Sequence, residues 1–86
     1  MTPGSAPVPR RLFLIESAPA SDALIRILEP FALQQASLAA VALDAAPGAL
    51  RVRVEADGLS DMRAETLRRR LAKLPLVTSV ALGWRA

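Results

Sequence analysis

The stretch Leu67–Leu82, LRRRLAKLPLVTSVAL, holds two different periodicities on either side of one proline, and its reading decides the fold. Leu67, Leu71 and Leu74 recur at i, i+4 and i+7, which makes one apolar helical stripe, while Arg68, Arg69, Arg70 and Lys73 fall on the polar side. Pro75 has no backbone N–H to continue the ladder and stops the helix. Beyond it Val77, Thr78 and Val80 are β-branched, and the run to Leu82 predicts a strand. A helix therefore feeds a strand through a very short connection.

Moving upstream, Leu50–Asp57, LRVRVEAD, alternates most cleanly: Leu50, Val52, Val54 and Ala56 face a core, and Arg51, Arg53, Glu55 and Asp57 face water. Before it, Ser37–Asp44, SLAAVALD, sets Leu38, Ala40 and Ala42 against Ala39, Val41 and Leu43, so both faces are apolar and the alanines keep one of them shallow. Pro47 and Gly48 between the two runs are a turn pair, and the whole predicts an antiparallel hairpin.

Arg11–Glu16, RLFLIE, predicts a short first strand covered on both faces. Ser21 or Asp22 caps a helix whose buried stripe is Leu24, Ile27, Leu28 and Phe31. Pro30 lies inside that pattern and predicts a kink or an early end. Gly58 closes the third strand, Ser60 or Asp61 caps the second helix, and Glu65 precedes Arg69 at the spacing of an ion pair. The order strand, helix, strand, strand, helix, strand predicts an α+β, ferredoxin-like βαββαβ domain: a four-stranded antiparallel sheet with both helices on one face.

Composition sets further bounds. The 86 residues make one small domain whose core is marginal without a partner, so self-association is expected. Residues 1–9, MTPGSAPVP, read as a disordered tail ahead of a domain over 10–86. The isoelectric point of about 11.1 reflects the lack of His, Cys and Tyr more than a large charge, which is only +3. Without cysteine or histidine there is no disulfide, no thiol nucleophile and no imidazole base, and no cofactor, metal site or catalytic residue is expected on this chain. No window reaches the roughly 20 apolar residues of a membrane span, so the expected setting is the cytoplasm, with no membrane partner.

A fold of this kind serves many functions, and the residues must choose among them. Base stacking on RNA needs aromatic rings on the open sheet face, where this chain has Arg51, Arg53 and Glu55, so no nucleic-acid partner is expected. A copper carrier needs a cysteine pair, and a phosphate-binding turn after strand one needs glycine, which the SAPAS segment lacks.

The segment Ser21–Leu38, SDALIRILEPFALQQASL, resembles the first helix of ACT domains, in particular the acetolactate synthase small subunits, whose pattern runs PGVLxRVxxLFxxRGxNI. Leu24, Arg26, Ile27, Phe31 and Leu38 fall on its positions without a gap, and Leu71, Lys73, Leu74, Val77 and Val80 fit a second family pattern close to QLxKLxDVxxV. The resemblance spans about Arg11 to Leu82. It implies a non-catalytic regulatory subunit that dimerises through edge strands and braces the large catalytic subunit of a thiamine-diphosphate-dependent synthase. A free-standing amino-acid sensor for another enzyme is the alternative. It further implies an effector site from Ser21, Asp22, Ala23, Ser37 and Leu38, a dimer edge from Ala39, Val41 and Leu43, and a basic docking row from Arg68, Arg69 and Lys73. The chain departs from the family where Ser21 and Asp22 replace proline and glycine, Gln35 a later glycine, and Ser37 an asparagine. The Asp22 carboxylate would repel an effector's carboxylate and attract an ammonium.

Overall fold

The computed structural model describes residues 10–85, so the tail expected over 1–9 lies outside the described residues. Its elements are β1 (Arg10–Ser17), α1 (Ala23–Leu33), β2 (Ser37–Ala46), β3 (Ala49–Asp57), α2 (Asp61–Ala72) and β4 (Val77–Arg85). All strand pairs are antiparallel, in the order β2-β3-β1-β4, which is the expected ferredoxin-like arrangement.

The core forms where the helices meet the central strands. Phe13 of β1 and Phe31 of α1 are both buried, and their rings meet edge to face with centroids 5.0 Å apart and planes at 85°. Ile27, Leu67 and Leu71 from the helices and Ile15, Val52 and Val54 from the sheet close around them. The stripe Leu67, Leu71, Leu74 is as expected: the first two are fully buried and Leu74 packs at the margin. In a core of small aliphatics the two rings supply much of the contact area, and an edge-to-face pair adds about 0.5–1.5 kcal/mol to its area burial.

Two bulges reset the register. Glu16 pairs with Ser79 but Ser17 with Val77, so Thr78 is the extra residue, and its Oγ1 donates to the Glu16 carbonyl at 3.0 Å. The bulge lets Val77 and Val80, three apart, both face the helices. Likewise Leu38 pairs with Ala56 and Ala40 with Glu55, leaving Ala39 unpaired. Leu38 therefore shares the helix side with Val41 and Leu43, not the open face with Ala40 and Ala42 as strict alternation predicts.

The hairpin turns through Pro47 and Gly48, with Gly48 at φ 74°, as proline then glycine favours in a type II turn. Other expectations need correction. β1 is covered on one face only, since Leu14 on the open side is 48% exposed. α1 runs through Pro30 to Leu33 instead of ending early, because Pro30 sits in the last turns with its ring buried in the core. Asp22 is at the N-cap position but makes no capping bond, and its carboxylate instead holds Arg26 at 2.9 Å. Ser60 does cap α2, accepting from the Arg63 N–H at 3.2 Å. The helix stops at Ala72, and Pro75 sits within a turn closed by the Val77 N–H on the Leu74 carbonyl at 3.0 Å.

The C-terminus of α1 is a Schellman closure: Ala36 N–H donates to Phe31 O at 3.1 Å and Gln35 N–H to Ala32 O at 3.0 Å. Gln35 holds the left-handed conformation at φ 56°, where glycine is favoured.

Two measurements follow. Phe31→Ala should lower stability by about 3–5 kcal/mol, a large part of what a domain of this size has, read as a sharply lower midpoint in urea denaturation. Gln35→Gly should raise it by roughly 0.5–1 kcal/mol, seen as a higher urea midpoint with an unchanged slope.

Candidate functional site

The expected effector residues fall into two groups. Ser21 and Asp22 are exposed in the turn before α1, and Ala23 begins that helix fully buried. This group lies at the end of the sheet where Ser17 pairs with Leu50 and Leu50 with Ala45. Ser37 and Leu38 lie at the opposite end, in register with Asp57 and Ala56. The span of β3 from Leu50 to Ala56 separates the two, roughly 20 Å at the usual strand rise. One chain alone does not bring them together.

The expected dimer edge is an edge strand, since β2 has only β3 as a neighbour. From Ser37 to Ala45 every residue of β2 is exposed. Leu38, Val41 and Leu43 are on the helix side, yet they remain 45%, 40% and 45% exposed. Ala39 sits at the bulge. An apolar row at an open sheet edge offers both backbone hydrogen bonds and side-chain burial to whatever pairs with it.

The basic row divides differently from expectation. Arg68 is turned back along the helix, its Nε donating to Glu65 Oε1 at 3.0 Å and its Nη2 to Glu65 Oε2. Arg69, the expected partner of Glu65, lies further away at 3.6 Å. Arg69, Arg70 and Lys73 are exposed. The hydrogen bonds from Arg68 hold the Glu65 carboxyl below the ordinary glutamate range, and the pairing raises the Arg68 guanidinium in turn.

On the open face, a depression of about 450 Å³ is floored by Leu14, Ala42 and Ala81 and flanked by Arg51 and Arg53. Arg51 holds Glu16 at 3.2 Å, whereas Arg53 has no ion-pair partner among the described residues. Glu55, expected to be wet, is only 8% exposed. The salt bridge of Arg10 to Asp57, at 2.9 Å, closes that end of the face.

Arg11 escaped the sequence reading. It is on the helix side of β1 and is buried, with its Nε donating to the Leu59 carbonyl at 3.1 Å and its Nη2 to Asp61 at 2.7 Å. A charge at the start of an apolar strand was the only signal, and it reads equally as a solvated end. Arg63 adds a second tie, donating through Nη2 to the Gln34 carbonyl at the end of α1. These bonds position α2. Among the described residues no cluster of His, Cys, Asp or Glu suits a metal ion, and no helix is long and apolar enough to cross a membrane.

The sheet order and the two helices on one face accompany a family comparison in which residues 8–85 match the ACT-like domain. The chain belongs to the ACT-like domain family. Among solved structures it is similar to the ACT domain of GTP pyrophosphokinase from Chlorobium tepidum, with a TM-score of 0.76, 14% identity, and coverage of 88% of this chain and 100% of that one. The C-terminal domain of MgtC from Mycobacterium tuberculosis gives 0.74 at 14% identity, covering 93% and 90%. A formyltetrahydrofolate deformylase from Pseudomonas putida gives 0.68 at 15% identity, with 90% of this ACT-like domain matching 28% of that chain. Identities this low carry the fold and no further. Among curated proteins none matches this sequence.

The pairing at Glu65 makes a checkable pH prediction. Its folded pKa is depressed, so its contribution to stability is present above the unfolded glutamate pKa and is lost as pH falls through the lower folded value. Carboxyl-resolved NMR titration should find Glu65 ionising below ordinary glutamates, and Arg68→Ala should return it toward them.

Proposed function

We propose that this ACT-like domain is a non-catalytic regulatory subunit that dimerises through β2 and, as a dimer, braces a larger catalytic enzyme of the acetolactate synthase type. The observation that carries the dimer is the exposed row Leu38, Val41 and Leu43 on an edge strand. Antiparallel pairing of two β2 strands satisfies the free backbone groups of both edges and covers these side chains. A two-fold axis near Val41 would also bring Ser37 of one protomer toward the sheet end that carries Ser21 and Asp22 of the other. The two halves of the effector site, at opposite ends of one chain's sheet, would then lie at the same end of the joined sheet.

The synthase assignment has a separate support, the paired sequence patterns in α1 and in α2–β4. It does not depend on effector binding. Asp22 is engaged with Arg26 and occupies the place where the family's glycine exposes backbone, which favours a bracing role over sensing.

Two experiments test these parts separately. Sedimentation of the purified chain should give a dimer, and Val41→Lys or Leu43→Lys should give a folded monomer; a monomeric wild type at micromolar concentration removes the interface. Co-purification from the native cell should recover a thiamine-diphosphate-dependent synthase whose rate falls when this chain is withheld. If no synthase associates and calorimetry finds one amino acid bound tightly, the chain is a sensor for another enzyme.

A further inference from the structure

The net charge of this molecule resides in one helix. Residues 61–73, which comprise α2 and its C-cap, hold Arg63, Arg68, Arg69, Arg70 and Lys73 against Asp61 and Glu65, and so account for the entire net charge of +3. The other residues carry six basic and six acidic groups and are neutral. Within α2 the internal bonds remove charge selectively. Asp61 is taken by Arg11, Glu65 by Arg68, and Arg63 reaches the end of α1.

Arg69, Arg70 and Lys73 are left, on the side opposite buried Ala64, Leu67 and Leu71. Arg70 and Lys73 have no ion-pair partner among the described residues, and Arg69 only a distant one in Glu65 at 3.6 Å. Lys73 follows Arg69 at i+4 and Arg70 at i+3, spacings at which like charges destabilise a helix by a few tenths of a kcal/mol. Basic residues near a helix C-terminus are favoured by its dipole, and that accounts for one or two of them. It does not account for three clustered on one face. Met62, 78% exposed, lies on the same face at the N-terminal end, about 16 Å from Lys73 along the axis.

We propose that the outer face of α2 docks an acidic protein segment, with Arg69, Arg70 and Lys73 receiving its carboxylates and Met62 receiving an apolar residue at one end. The inference rests on the reading of this chain as a docking subunit, but not on which enzyme it docks, and it revises the expected row by replacing Arg68 with Arg70. A protein segment fits better than nucleic acid. The free cations of α2 span little more than one helical turn, the other residues sum to no net charge, and α2 carries no aromatic ring on which a base could stack.

The test uses the full chain, isotope-labelled, with defined probes: a glutamate-rich peptide bearing one terminal leucine, the same peptide with alanine in that place, its lysine counterpart, and oligothymidylate. The leucine peptide should shift the amide signals of Met62, Arg69, Arg70 and Lys73 in particular. It should bind about fivefold more tightly than the alanine peptide, and Met62→Ala should abolish that increment. Arg70→Glu combined with Lys73→Glu should weaken binding at least about tenfold while the remaining spectrum stays folded. Shifts spread over the surface, no leucine increment, or oligothymidylate binding more tightly at the same residues overturns the proposal. Because no synthase is present, failure here is distinct from failure of the co-purification.

Discussion

The contact between Phe13 and Phe31 is the constraint on which the rest depends. In a chain whose apolar content is mostly alanine, leucine and valine, these are the only phenylalanines, and one comes from the central strand and the other from the first crossover helix. Locking the two rings edge to face fixes how α1 crosses the sheet. The buried edge of α1, with Ala23, Ile27 and Pro30 beside Phe31, then has a defined floor. Once α1 is fixed, the Arg63 bond to the Gln34 carbonyl and the Arg11 bonds to Leu59 and Asp61 set α2 beside it. The order of dependence thus runs from an aromatic pair at the centre to polar ties at the periphery, which is a suitable division in a core too small to orient two helices by area alone.

The architecture was largely legible because each helix and strand has a distinct period and each junction has a residue with a backbone reason to be there: Pro47 and Gly48 at the hairpin, Gly58 after β3, Ser60 at the cap, Pro75 at the turn. Register was not legible. Strict alternation places Leu38 beside Ala40, and the bulge at Ala39 overturns it, as a second bulge at Thr78 lets Val77 and Val80 share one face. A bulge depends on the partner strand's register, which local sequence does not contain. Pro30 was misjudged for a similar reason: the penalty of proline in a helix is intrinsic, but the compensation from burying its ring in the core is tertiary.

The site was less legible than the fold. Arg11, Glu16 and Glu55 all sit in runs where a charge normally marks solvent, yet Arg11 and Glu55 are buried. Only the three-dimensional neighbour decides between a solvated charge and a satisfied one. The same applies on α2, where the spacing pairs Glu65 with Arg69 and the fold adds Arg68, which hydrogen-bonds the carboxylate more closely than Arg69 does at 3.6 Å. The closer engagement of Arg68 leaves Arg69 the more exposed of the two guanidinium groups.

The uneven coverage of the sheet links these observations to function. α2 packs on β4, and α1 reaches β1 through the phenylalanine contact, so β2 is the strand whose helix-side residues stay half exposed. Retaining an apolar row beside unpaired backbone groups is unfavourable for an isolated chain and favourable for a paired one. The basic side of α2 shows the same logic in charge: the fold neutralises what lies near its core, leaves Arg69 a long contact to Glu65, and gives Arg70 and Lys73 no ion pair among the described residues. β2 and the outer side of α2 belong to different layers of the domain. Pairing through the sheet edge therefore need not obstruct docking through the helix, and a two-fold arrangement would present two such helices at once.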